Sequence, residues 1–270
     1  LAGTAPAPAE AASAEPSCAS ASGDIWGEGE PDIPGREIDG GKIKSLSDFQ
    51  GMTDRRLAGV TIVKGGDFSG WDFSTTSLSG ICFEESKLTD ANFADASAPG
   101  VGFIKTDLTG ADMAGTRMPG ILFRNAGLKN VTAMGADFSN GHFDGGWFEG
   151  SVEGWNVDGA NMTGFTFDCG ITVPDGCPVY QGGTAMSAKR TDFSDAKLHS
   201  FGLYDVELNG AILDQTIIGP GQLPYLAKAE FRGSLILRGG GSYVRLTVDE
   251  AQHLLAETAK QKALVAHPSF

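Results

Sequence analysis

Positive charge is scarce in this chain. Its 270 residues hold 20 Lys and Arg against 34 Asp and Glu, a formal charge of −14. That balance repels phosphate and argues against direct nucleic-acid binding, while favouring solubility and basic partners. Histidine is almost as sparse: His142, His199, His253 and His267 are scattered, and no second histidine at helical spacing accompanies His253 to make a zinc motif. Long apolar runs are missing, so no segment reads as a membrane-spanning helix. Glycine is abundant, but stretches such as Gly239-Gly240-Gly241-Ser242 follow no nucleotide-binding fingerprint and read as linkers. Outward carboxylates such as Asp107, Asp112, Asp137, Asp144, Glu149, Glu153 and Asp158 read as a solvated face. No enzymatic activity, cofactor or metal is expected.

What the chain has is a period of five. From Phe68 to Phe148 every fifth residue is apolar: Phe68, Phe73, Leu78, Phe83, Leu88, Phe93, Ala98, Phe103, Leu108, Met113, Met118, Phe123, Leu128, Ala133, Phe138, Phe143 and Phe148. Two residues before most centres stands a small or β-branched side chain, for example Ala91, Ala96, Val101, Thr106, Ala111 and Ile121. Five fits neither the 3.6-residue helix nor the two-residue strand. It fits a coil that turns a corner every five residues.

The clearest units are Ala91-Asn92-Phe93, Ala111-Asp112-Met113, Ala136-Asp137-Phe138, Ala160-Asn161-Met162 and Thr191-Asp192-Phe193. They closely resemble the pentapeptide-repeat family, whose motif is loosely Ala-Asp/Asn-Leu/Phe-x-x. The resemblance covers residues 58–218 and implies an all-β solenoid, a right-handed quadrilateral β-helix with four pentapeptides per coil. Residues 20 apart should then stack. The sequence agrees: Phe83, Phe103, Phe123 and Phe143 form one core column, and Leu88, Leu108, Leu128 and Phe148 another. Gly80, Gly100, Gly120 and Asn140 form a corner column, as do Gly70, Asp90, Gly110, Asn130 and Gly150. These residue types tolerate the positive φ of tight turns.

The period slips by one after Phe148, where Val152, Val157, Met162 and Phe167 become the centres, so a four-residue side or a bulge is expected near Glu153. Residues 169–190 abandon the repeat and read as a loop extruded from a corner, before Phe193, Leu198, Leu203, Leu208 and Leu213 resume it. Long loops are often functional, and tolerated insertion is the alternative. Residues 1–22, rich in Ala, Pro, Ser and Glu, read as a disordered tether, and 23–57 as a segment capping the first coil. At 219–270 a second cap is expected. Thr247-Val248-Asp249-Glu250 has the form of a capping box, and Ala251, Leu254, Leu255, Thr258 and Ala259 trace a helical stripe to about Leu264. Capping protects the open edges of a solenoid, and a homodimer through this helix is the sharper alternative.

Four cysteines complete the reading. Cys169 and Cys177 bracket the turn of the insertion and are candidates for one disulfide, and Cys18 in the tether is within reach of Cys82 for a second. Both pairs together would place the protein in an oxidising compartment, periplasmic or secreted, with a signal peptide outside this numbering. Four reduced thiols in the cytoplasm are the alternative. Ile104, Leu122, Met134 and Trp147 stand at outward repeat positions and read as a covered or binding surface; with Tyr180 in the insertion they are the candidate interaction residues, and packing of the N-terminal segment over them is the alternative. The expected function is a non-catalytic scaffold binding another protein. The other reading is implied by resemblance to the quinolone-resistance branch of the same family, acidic dimers that imitate duplex DNA and occupy DNA gyrase. Acidity and the C-terminal helix suit that branch, whereas the tether and paired cysteines suit an exported scaffold.

Overall fold

The computed structural model of the chain describes residues 36–53, 61–144, 146–149, 152–168, 185–198, 203, 206–227, 229–230, 233–239 and 242–266. The tether at 1–22, the start of the capping segment, and Cys18, Cys169, Cys177 and Tyr180 lie outside these residues.

The coil is a parallel β-solenoid of about seven turns. One side is a ladder of β1 (Arg36–Asp39), β2 (Thr61–Lys64), β3 (Ile81–Glu84), β4 (Gly102–Ile104), β5 (Leu122–Arg124) and β7 (His142–Asp144). A second side carries β6 (Gly127–Lys129), β8 (Trp147–Glu149) and β9 (Thr166–Asp168). The other two sides are held by single bridges such as Asp72↔Asn92↔Asp112 and Ser97↔Arg117↔Asp137. Each strand is only a few residues long because the chain must turn before it leaves the side.

Many of the turns share one geometry. The carbonyl of the centre accepts from the N–H three residues on, as in Trp71 to Phe68 (3.1 Å) and Ala91 to Leu88 (3.1 Å), with positive φ at the residue before the donor, Gly70 (70°) and Asp90 (57°). That is the geometry of a type II turn. Going up this corner, Gly70, Asp90, Gly110 and Asn130 alternate between glycine and an Asx residue. A Cβ on Gly110 would collide with the Asp90 carboxylate below it, so the alternation at this step is steric as well as conformational.

Inside, the expected columns stack. Phe83 pairs in register with Phe103, Phe103 with Phe123, and Phe123 with Phe143. Ring centroids lie 5.6, 5.5 and 5.2 Å apart, with interplanar angles of 5°, 17° and 43°. Leu88, Leu108, Leu128 and Phe148 are buried in the neighbouring column. Several small polar side chains share this interior by donating to carbonyls: the Thr106 hydroxyl donates to Phe83 O at 3.0 Å, and the Thr216 hydroxyl to Phe193 O at 2.7 Å.

Two changes of pitch mark the upper coils. The stacking offset is 20 at Arg117↔Asp137 and falls to 19 at Asp137↔Asn156, His142↔Asn161 and Trp147↔Thr166. Trp155 therefore stands where a small residue stood one coil earlier. Its ring fills the interior against Phe148 (4.7 Å) and Phe138 (5.2 Å), while its buried Nε1 finds no hydrogen-bond partner among the described residues. At Asn156↔Ser187 the offset becomes 31, eleven more than a coil of 20, and it returns to 20 at Ser187↔Glu207. The repeat resumes at Met186 and Ala188, both buried, ahead of Phe193. The extruded stretch is thus shorter than residues 169–190, because Met186–Arg190 serves as one side of the coil.

Both ends are closed. Helix α1 (Leu46–Thr53) places Phe49 face-on to Phe83 at 5.8 Å and 9°, adding one ring below the aromatic column. At the other end β10 (Ile217–Ile218) pairs with β11 (Leu235–Gly239), which pairs antiparallel with β12 (Ser242–Leu246). Gly239 and Ser242 are opposed across that pair, so the glycine run read as a linker joins the arms of a hairpin. Helix α2 (Val248–Ala266) opens with the expected capping box: Thr247 N donates to Glu250 Oε2 at 2.9 Å, and Glu250 N donates to Thr247 Oγ1 at 3.3 Å. Ala251 is buried, and Leu254 and Leu255 pack onto the core.

Phe123→Ala is expected to destabilise the chain by about 3–5 kcal/mol, since it removes a ring from the middle of the column. Urea unfolding monitored by circular dichroism measures it. Trp155→Phe is expected to be neutral or slightly stabilising, within about 1 kcal/mol, because it deletes an unpaired buried N–H while keeping an aromatic ring. The same unfolding experiment applied to that variant checks the unsatisfied indole.

Candidate protein-interaction surface

The interior of the described coil is filled by its own side chains, so what it offers to other molecules lies on its outer faces. On the first ladder the residues flanking each inward centre, Val63, Phe83, Phe103, Phe123 and Phe143, point outward. They run Ile62, Cys82, Gly102, Leu122 and His142 before the centre, and Lys64, Glu84, Ile104, Arg124 and Asp144 after it. Ile62, Cys82, Ile104 and Leu122 form an apolar cluster separate from the coil core, and the last three are fully buried. The repeat sets Ile104 and Leu122 outward, for a binding surface or a covered one. They do point away from the coil, and they are covered. Met134 and Trp147 are exposed at 47% and 40%, as the repeat positions imply.

Tyr243 and Val244 on β12 are more exposed still, at 59% and 53%, and the sequence reading missed them. The available signal was a run of aromatic and β-branched residues on each side of a glycine turn, Leu235–Gly239 and Ser242–Leu246. Treating the glycines as a linker concealed it.

The charged residues form an alternating pattern. Lys64 pairs with Glu84 at 3.1 Å, Arg124 Nε with Asp144 Oδ2 at 2.8 Å, and Lys189 with Glu207 at 2.6 Å, each across one coil. Bridges stack Asp67 on Lys87 on Asp107 on one side, and Arg117 on Asp137 on another. Many of the aspartates close turns. The Oδ1 atoms of Asp67, Asp72, Asp107, Asp112, Asp137 and Asp192 each accept the backbone N–H two residues on, at 2.9–3.2 Å. Asp67, Asp72 and Asp107 are held below the ordinary aspartate pKa of 3.8, first by the hydroxyls of Ser69, Ser74 and Thr109 and then by the backbone N–H of the same residues.

Among the described residues no group of His, Cys, Asp and Glu is arranged to hold a metal, and no helix is long and apolar enough to cross a membrane. A gap in the core lined by Phe123, Leu128, Phe138, Phe148 and Trp155 is too tight for a water molecule. Cys82 is a half-cystine whose partner lies outside the described residues.

A family model described as pentapeptide repeats matches residues 86–125 and 103–140, in eight copies. The coil is a pentapeptide-repeat β-helix. Solved structures similar to this pentapeptide-repeat coil include a pentapeptide-repeat protein of the Arabidopsis thaliana thylakoid lumen, 35% identical. That match covers 36% of this chain and 65% of the plant protein, less than two thirds of its length, with a TM-score of 0.29. QnrB1, a plasmid-mediated fluoroquinolone resistance protein, is 15% identical over 76% of this chain and 92% of its own, with a TM-score of 0.39. HetL from Nostoc sp. strain PCC 7120, involved in heterocyst differentiation regulation, is 16% identical over 63% and 98%, with a TM-score of 0.29. Comparison with curated proteins gives no match.

The turn carboxylates set an acid limit. A group whose pKa is lowered by folding stabilises the native state above its unfolded value, and that stabilisation fades as pH falls through the folded value. Resistance to urea is therefore expected to be insensitive to these aspartates near neutrality and to decline below about pH 4, as measured by unfolding midpoints across a pH series. Asp107→Asn, which keeps an acceptor oxygen, should flatten the acid limb with less loss at pH 7 than Asp107→Ala.

Proposed function

We propose that this chain is a non-catalytic pentapeptide-repeat scaffold that binds another protein on its outer faces, in an exported and oxidising setting. The observation that carries the binding role is the pair of large apolar side chains, Met134 and Trp147, left exposed on faces otherwise closed by turn aspartates and cross-coil ion pairs. Exposed aromatic and Met side chains of this kind are the usual anchors of a protein partner. The buried half-cystine Cys82 supports the compartment, because disulfides persist where thiols are not kept reduced. The apolar stripe of α2 turns toward its own coil, which supports capping over dimerisation through that helix.

Imitation of DNA is the weaker reading. Duplex DNA carries one charge per about 1.7 Å of axis, so a mimic needs continuous negative columns. Here Asp67, Lys87 and Asp107 alternate in one column, and Arg117 follows Ser97 and precedes Asp137 in another. Part of the acidity also lies off the described coil: Glu10, Glu15, Asp24, Glu28, Glu30 and Asp32 fall in residues 1–35, which contain no Lys or Arg.

Two measurements separate the readings. A photo-crosslinking residue placed at Trp147 or Met134 is expected to give a discrete protein adduct in the native cells, while the same probe at Thr109 gives none. Equal labelling from all three sites would remove the anchor role. Added to a gyrase supercoiling reaction, the purified chain is expected to leave the rate unchanged, and inhibition would favour the mimic.

A further inference from the structure

The apolar cluster outside the coil is buried, yet what covers it is not another part of the described ladder. Ile62, Cys82, Ile104 and Leu122 are 5%, 0%, 0% and 0% exposed, and on the same face His142 and Arg124 are already partly open. The cover therefore lies over the N-terminal half of this face and ends before β7. Cys82, at its centre, is joined to another cysteine.

We propose that residues 1–35 dock across this face as a strap, joined to it by a disulfide between Cys18 and Cys82. Three observations favour this segment over the insertion at 169–184. The chain enters the first ladder at Arg36, whose row is two strand spacings, about 10 Å, from the row of Cys82. Residues 19–35 span that distance several times over when extended, at roughly 3.3 Å per residue. The insertion leaves the coil after Asp168 on the second side, four coils beyond the level of Cys82 and past the level at which the first ladder loses its cover. The segment also supplies apolar matter for the cluster, in Ile25, Trp26, Pro31, Ile33 and Pro34. Forming the bond joins the two sulfur atoms and releases two protons and two electrons, the electrons passing to a disulfide-bearing oxidant by thiol exchange. A buried bond in an apolar surround resists attack by thiolates, so the strap is a lasting part of the fold rather than a transient adduct.

The inference goes beyond the scaffold reading and stands whether or not a partner is found. It assigns the apolar face of the first ladder to the chain's own N-terminal segment and leaves Met134 and Trp147 for other proteins. Tryptic mapping of the intact, alkylated, non-reduced chain tests it directly, since Cys18 falls in peptide 1–36, Cys82 in 65–87, and Cys169 with Cys177 in 130–189. The expected product is 1–36 joined to 65–87. A link from 65–87 to 130–189, or a free Cys82, overturns the proposal. Hydroxyl-radical footprinting of the full chain gives an independent readout. In the triple variant Ile25→Ser, Trp26→Ser, Ile33→Ser, modification of Ile104 and Leu122 should rise severalfold while Leu213 in the coil core stays protected. Unchanged protection at Ile104 and Leu122 in a folded variant means that another segment covers the face.

Discussion

Everything in this molecule hangs on backbone amides that reach up to the next coil. Phe73 N donates to Asn92 O at 2.7 Å, Leu88 N to Asp107 O at 2.7 Å, and Phe93 N to Asp112 O at 2.7 Å, each joining a residue to one 19 further on. Each coil thus satisfies the polar groups of the one below, and the ladder brings like residues into register. The aromatic column follows from that register: rings about 5.5 Å apart reflect a strand spacing of about 4.8 Å plus a tilt. A change of pitch must be absorbed elsewhere, as at Trp155, where a shortened coil places a large ring in a small-residue position.

Acidity, which in isolation invites a ligand or a mimicry role, has a local explanation in this fold. An Asx side chain one residue before a centre reaches the N–H two residues on and fixes the turn, so the repeat demands Asp or Asn at many corners. Cross-coil pairing then intersperses lysines and arginines among those carboxylates. A strongly negative sequence folds into faces on which both signs stand in the same columns.

The ends and the first ladder show how much of a solenoid's open edge and apolar face can be covered. Phe49 extends the ring column by one layer, and the hairpin of β11 and β12 with helix α2 terminates it. Exposed strand edges and apolar faces otherwise invite pairing with other chains. On the first ladder the hazard is the row from Ile62 to Leu122, and that row is buried too.

The sequence by itself determined the inner ring. The five-residue period, the columns from Phe83 to Phe143 and from Leu88 to Phe148, the corner residues Gly80, Gly100, Gly120 and Asn140, the slip near Glu153 and the capping box at Thr247 were legible because each is a local or evenly spaced constraint, and identical turns repeat it. Outward positions carry no such constraint, so their fate depended on segments far away in the chain. Only the tertiary structure decided that Ile104 and Leu122 are covered while Met134 and Trp147 are not, that Phe49 seats on Phe83, that Met186 rejoins the coil after eleven extra residues, and that Tyr243 and Val244 stand exposed on a hairpin. The physical reason is that burial outside a solenoid comes from contacts between distant segments, and no period in the sequence records which segment lies on which face.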